Sequence, residues 1–501
     1  MGYVDLRKPS VRVEHDTEQD VQVSVDGASD DATARRKRKT SPIRAAIKKA
    51  VDHPLADYGF LFSAITILVV LGLVMVLSAS NVLSYQQNDG NGYVIFIKQA
   101  IVAALGFGLM LFASRLDSQI YRKFAGVAMI VSFALLVLVL VPGIGSGVHG
   151  QRNWIELGGP FRLQPSEFAK FAMVVWAAKL LTDRHDKIAG WRSLLIPFAP
   201  VTGLMIVLIV LEGDLGTAMI LMAIMAGMLF VAGAPAKVFT AMGAMVLIAI
   251  LMLSIAAPYR MQRFMTWLDP GSDPTGAGWQ IIHGHYALAT GGWWGVGLGG
   301  SREKWGFLPE AQTDFILAVL GEELGIVGTL STLALFGTIT FFVIRIAMRS
   351  SDRFIQLATA GVGLWIIAQA LMNVGAVLGA LPIAGVPLPL VSNGGSSLAV
   401  TLGAFGMILA FARAEPKAAA YIEEKKAAER HDRRVRFGIP ARERKERQRA
   451  AAKRGWKPKS AASKKRRRGG ETTGRAKAES GHPKPESRRR RSRSTKAGTR
   501  K

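Results

Sequence analysis

The sequence contains no cysteine. That excludes disulfides, thiolate-ligated zinc and thiol nucleophiles together. Charge is also scarce: Asp, Glu, Lys and Arg make up 20% of the residues, against 50% hydrophobic. Acid is the scarcer sign, with 36 Asp and Glu against 63 Lys and Arg, a formal net charge of +27. Such a surplus marks a nucleic-acid binder when it covers a folded surface. Here 33 of the basic residues but only ten of the acidic ones follow Phe411, so it belongs to a tail. Nucleic acid is not an expected partner. A signal-peptide pattern is missing too, because the first apolar run begins late and is too long.

What the sequence does have is long apolar runs. They fall at 59–80, 93–114, 124–142, 167–181, 194–211, 216–233, 238–258, 315–348, 354–381 and 397–413. Most are near the roughly 20 residues that span a bilayer as a helix. The expected fold is an all-α polytopic membrane protein of about ten helices, with a large extracytoplasmic loop between helices 7 and 8. Residues 1–57 and 414–501 read as largely disordered tails flanking a membrane domain at 58–413, since they lack the apolar residues for a core. Basic clusters at 464–468 and 488–491 suit anionic lipid, at about 1 kcal/mol per basic residue.

Orientation follows the distribution of cations. Segments 115–123, 183–192 and 345–353 each carry three Lys or Arg, whereas 81–92 and 381–396 carry none. The basic connections share a side with the basic tails, so both termini are expected in the cytoplasm. The outside connections are then 81–92, 143–166, 212–215, 259–313 and 381–396. The longest contains a glycine-rich run, Gly291 to Gly300, interrupted by Trp293 and Trp294. It reads either as a flexible linker or as backbone N–H groups open to a ligand. No strand–helix unit surrounds it, so it is not a dinucleotide fingerprint.

Carboxylates mark one boundary. Asp314 stands where the outer loop enters an apolar helix, and Glu322 and Glu323 follow about two turns further in. An ionised group at such a place needs a partner or a function. Glu167 and Lys170, three residues apart, share one face of another helix. Lys170 is expected to pair with Glu167 or with Asp314. In the second case it would hold the Asp pKa down until a substrate displaced it. Arg152, Arg260, Arg263 and Lys304 are outside cations suited to a pyrophosphate.

Four outside segments resemble one family, the SEDS proteins of bacterial cell-wall synthesis (shape, elongation, division and sporulation). They are Arg152-Asn153-Trp154-Ile155 with Gln164-Pro165-Ser166-Glu167-Phe168-Ala169-Lys170; Glu212-Gly213-Asp214-Leu215-Gly216-Thr217; Leu308-Pro309-Glu310-Ala311-Gln312-Thr313-Asp314-Phe315 with Glu322-Glu323-Leu324-Gly325; and the run from Leu381 to Ser397. The resemblance covers about residues 55–413. Gly213 stands where Pro is usual, Gln312 where His is common, and Asn393 where Tyr is usual. Residues 52–58, 72–80 and the basic tail are most similar to the actinobacterial division members.

The resemblance implies a glycosyltransferase that polymerises lipid II, an undecaprenyl-pyrophosphate disaccharide pentapeptide, on the outer face of the cytoplasmic membrane at the septum. It implies Asp314 as the catalytic residue, with a substrate site drawn from Arg152, Trp154, Gln164, Ser166, Glu167, Lys170, Asp214, Arg260, Gln280, Lys304, Glu310 and Ser392. It implies a class B penicillin-binding protein among other division partners. No cofactor is certain, and a divalent cation (Mg or Mn) stays open. The residues also admit two other functions, a lipid II flippase and a non-catalytic division scaffold.

Overall fold

An apolar segment that must satisfy its own backbone in lipid has one simple solution, the helix. The computed structural model describes residues 51–147, 151–156, 158, 162–184, 191–256, 265–276, 278–437, 446 and 449–450. Within them ten helices stand where the ten apolar runs lie. They are α1 (Ala56–Gln87), α2 (Val94–Ala113), α3 (Ser118–Leu140), α4 (Pro165–Asp183), α5 (Trp191–Leu211), α6 (Leu215–Ala232) and α7 (Ala236–Ala256), then, after the long outer connection, α9 (Ile316–Arg349), α10 (Arg353–Val377) and α11 (Ser396–Ala414). Seven of these, α1, α2, α3, α6, α9, α10 and α11, are long and apolar enough to cross a membrane on length and composition alone. The long connection carries α8 (Trp279–Gly291), and α12 (Pro416–Phe437) follows the last span.

The chain divides into two units, Met1–Glu423 and Glu424–Lys501. In the first, α11 packs on α2, α9 on α1, α4 on α3, and α10 on α6 and α4, while α8 lies against α9. In the second, residues 424–432 of α12 are exposed throughout. Arg260, Arg263 and both basic clusters of the tail lie outside the described residues.

An all-α reading misses one detail. Between α3 and α4 lies a small antiparallel sheet of β1 (Gly145–Ser146), β2 (Trp154–Glu156) and β3 (Arg162–Leu163). Gly145 pairs with Ile155, and Ile155 with Leu163. At the opposite ends of the helices, Asp57 at the start of α1 meets Arg345 at 3.1 Å and Arg349 at 3.4 Å, near the end of α9.

Helix α9 is broken inside the bundle. Gly325 has φ +68, a left-handed conformation that no regular helix contains. The break parts two turns of backbone, and the glycine-rich run fills it. The N–H groups of Val296 and Gly297 donate to the carbonyls of Glu322 and Glu323, while those of Ile326 and Val327 donate to the carbonyls of Gly292 and Trp293. In an unbroken helix Ile326 and Val327 would bond Glu322 and Glu323 directly. Both lost bonds are thus replaced. A side chain at Gly295 would sit 2.1 Å from the Glu323 carbonyl, so the strap must be glycine there. The run is therefore not a loose linker, and the donors of Val296 and Gly297 are spent on the break, while Trp293 and Trp294 point outward, 68% and 80% exposed.

Candidate active site

The connection that ends in Asp314 is held from several sides. The carbonyl of Thr313 accepts from Ser392 Oγ at 2.6 Å, and the carbonyl of Gln312 from the N–H of Asn393 at 2.9 Å. Asn373, near the end of α10, donates from Nδ2 to the carbonyls of Asp314 and Val386, at 2.7 and 2.8 Å. The 381–395 connection therefore folds over the start of α9 and closes a small pocket, with room for about one water molecule. Asp314, Asn373, Met372 and Gly385 line it.

Asp314 keeps part of its surface open to that pocket. Among the described residues no cation neutralises it. Burial lifts its carboxyl from the ordinary range to about 7, and the charges of Glu310 and Asp214 push the same way. Near neutrality such a group is half ionised, suited to taking a proton and giving it back.

Asp214 heads α6. It accepts from the Thr217 N–H at 2.9 Å, from Gln164 Nε2 at 3.0 Å and from Ser166 Oγ at 3.3 Å. Gln164, Ser166 and Asp214 are thus one cluster, and its charge is felt at Asp314. Beside it, Glu212 is 1% exposed and neither carboxyl oxygen has a partner among the described residues. Burial, with the Asp214 charge adding to it, pushes Glu212 to about 9.

The sequence left two partners open for Lys170, and the structure selects Glu167. Lys170 Nζ donates to Glu167 Oε1 at 2.8 Å and to Gln369 Oε1 at 3.0 Å, over the ring of Trp365. Ser397 donates to the other oxygen of Glu167 at 2.9 Å. Lys170 is 0% exposed and does not meet Asp314, so the displacement idea falls with the pairing it needed. Glu167 and Lys170 satisfy each other together with Gln369 and Ser397, while Ser166 bonds Asp214; all three are buried.

Lys304 is a second correction. Its three N–H groups go to Ser78 Oγ at 3.0 Å, the Gly299 carbonyl at 2.8 Å and Glu323 Oε1 at 3.0 Å, and it is buried. An ammonium with every donor used is not presented to a pyrophosphate; it ties the outer loop to α1 and α9. Glu322 is likewise held, by Ser301 Oγ and the Arg302 N–H. Gln280 donates to the Pro309 carbonyl at 3.2 Å, and Glu310 accepts from Thr313 Oγ1 at 2.6 Å. Ser392 is buried and structural, accepting from the Leu388 N–H at 2.8 Å as well as donating to Thr313. Trp154 sits half-buried on β2, and Arg152 is exposed, its N–H bonded to the Glu212 carbonyl. Of the cations read from the sequence as anion ligands, Arg152 is the one described with an open side chain.

Gln369 and Asn373 had escaped notice. The signal was there: Trp365, Gln369 and Asn373 are four residues apart and so share one face of an otherwise apolar helix.

The fold is a polytopic helical membrane protein, with a pocket-lining carboxyl at the mouth of the bundle and a paired Glu–Lys couple within it. The comparisons give the family. A model for cell cycle proteins of the FtsW/RodA/SpoVE type matches residues 59–417, and the chain belongs to that family. The "Probable peptidoglycan glycosyltransferase FtsW" of Mycobacterium tuberculosis is 40% identical over 370 residues, 74% of this chain and 70% of the relative. Stage V sporulation protein E of Bacillus subtilis is 38% identical over 347 residues, covering 69% and 94%. Among solved structures, one chain of a peptidoglycan synthase complex that coordinates polymerization and crosslinking superposes with TM-score 0.59 at 29% identity, over 71% of this chain and 97% of that one. The rod shape determining protein RodA of Thermus thermophilus gives 0.52 at 26%, over 71% and 96%.

Proposed function

We propose that this protein is a peptidoglycan glycosyltransferase that polymerises lipid II during cell division, with Asp314 as general base on the outer face of the cytoplasmic membrane. One observation carries the assignment of the base. Asp314 is the carboxyl at the bundle's mouth that borders a pocket, meets no cation among the described residues and is raised by burial to about 7. The attacking hydroxyl gives its proton to Asp314 as its oxygen forms a bond to the anomeric carbon. The bond from that carbon to the lipid pyrophosphate breaks, and the pyrophosphate leaves with the electron pair. Arg152, whose side chain is exposed, is our candidate to meet the leaving charge.

Among the described residues no three His, Asp or Glu side chains gather into a metal site. The likeness to a chain of a peptidoglycan synthase complex supports a class B penicillin-binding protein as partner, and the division-type relatives support work at the septum. The test is glycan formation from lipid II in detergent, where flipping has no meaning. Chains made by the parent and lost in a folded Asp314→Asn variant support the reading. No chains from a folded parent, with and without its partner, would leave a flippase or a scaffold.

A further inference from the structure

Three helices fix the level at which the glycine strap lies in the bundle. At one end, Asp57 of α1 pairs with Arg345 of α9 at 3.1 Å. At the other, Ser78 of α1 donates to Glu323 Oε1 at 2.6 Å, and Lys304 Nζ meets both. Asp57 and Ser78 are 21 residues apart and Gly325 and Arg345 20, so at 1.5 Å per residue the two clamps stand about 30 Å apart. On α10, Asn373, which holds the Asp314 carbonyl, lies 20 residues from Arg353, again about 30 Å. That distance is the hydrocarbon thickness of a bilayer. The far clamp, the break at Gly325 and the Asp314 pocket therefore share the level of one membrane boundary.

At that level the chain presents large apolar side chains outward. Trp293, Trp294 and Leu298 are exposed, as is Trp305 next to Lys304. No charged residue occurs from 286 to 301. The patch is continuous with the lipid-facing side of α9: Ile326 and Val327 are exposed, and their N–H groups are the ones bonded to Gly292 and Trp293. Tryptophan, an apolar ring system with one N–H, favours the zone where lipid chains meet headgroups. The irregular backbone of the strap fits there too, because water reaches that zone and not the hydrocarbon beneath it.

We propose that the strap is a membrane-docking surface: Trp293, Trp294, Leu298 and Trp305 seat in the boundary zone of the leaflet on the Asp314 side. Helix α8 and the first part of α9 run side by side from the pocket to the strap, Gly284 against Phe315 and Gly291 against Gly321. Docking thus holds the Asp314 pocket level with the lipid phosphates, where the pyrophosphate of a lipid-linked donor lies. That positioning rests on the glycosyl-transfer reading above; the docking itself does not.

The test uses the full-length protein in lipid nanodiscs, with phospholipids brominated either near the headgroup or near the chain end. The chain holds ten tryptophans, so the strap's emission is read as the difference between the parent and a Trp293→Phe/Trp294→Phe variant. Bromines near the headgroup should quench it most, with less quenching from the chain end or from iodide in the water. Should the double variant fail to fold, Trp294→Phe alone supplies the difference. Quenching by iodide and by neither lipid would put the strap in water. Stronger quenching from the chain end would sink it into the hydrocarbon, and shelter from all three quenchers would put protein over it. Each of these overturns the docking. The positioning is read from a Trp293→Ser/Trp294→Ser variant. In lipid vesicles its KM for the lipid-linked donor should rise several-fold with kcat kept, while in detergent both constants match the parent's. An unchanged KM in vesicles overturns the positioning alone. A parent without turnover overturns the transferase reading, and the quenching result still decides the docking.

Discussion

Asp314 and Glu323 lie nine residues apart on the same stretch of chain, and they are treated in opposite ways. Glu323 is fully buried and receives Lys304, Ser78 Oγ and the Ser301 N–H on one oxygen. Asp314 receives no side-chain donor among the contacts described, and its charged neighbours are carboxylates. The first arrangement stabilises a charge and makes it inert. The second leaves the charge costly and therefore reactive. Glu167, held by Lys170 and Ser397, belongs with Glu323. The lesson is that carboxylates in a membrane protein sort by partners, not by depth.

The contrast is easiest to break at Asp314. Asp314→Asn removes the base but strands no partner, so polymerisation should fall by about 10²–10⁴-fold, with thermal stability close to the parent's. Equal losses of activity and folded protein would move Asp314 to the structural group. Lys304→Met should do the opposite. It leaves Glu323 buried and uncompensated, at a cost of about 3–5 kcal/mol, read as a lower melting temperature and less folded protein. A Lys304→Met protein that folds normally yet loses catalysis would put the ammonium back at the substrate.

Glu212 sharpens the comparison, because it is buried without partners and yet not charged. Its folded pKa near 9 exceeds the ordinary value of 4.5, so its contribution to stability is complete below about pH 4.5 and is lost as pH rises toward 9. Glu212→Gln removes that dependence and should raise stability at pH 8 by roughly 1–3 kcal/mol. Destabilisation at pH 8 would mean that Glu212 is ionised and held. The smallest expected effect is in the parent's pH profile. With Asp314 near 7, activity at pH 6 should be about one tenth of the alkaline plateau, and a flat profile from pH 5 to 8 would exclude this group as the base.

Much of this architecture was legible in the sequence, because an apolar run long enough to span a membrane has few alternatives to a helix. Asp314 was legible for the same reason, as an acid at the entry to such a run. Lys304 was misread because its place in an outer loop suggested exposure, whereas the loop folds inward and carries it against α1 and α9. The partners of Lys170 depended on helix packing, which spacing along one helix does not reveal. Asn373 was missed although its four-residue offset from Gln369 was visible. Glu212 was overlooked because its importance lies in the bonds it does not make.

The glycine strap bears on how the chain is assembled. Alone, α9 would enter the bilayer with two carbonyls and two N–H groups open at Gly325, and lipid offers them nothing. Residues 292–297 supply all four partners, and they are synthesised about 30 residues before the break they mend. The strap is already made when α9 follows, so a short, local closure completes the helix. The order of synthesis is thus written into the chain by placing the patch upstream of the tear.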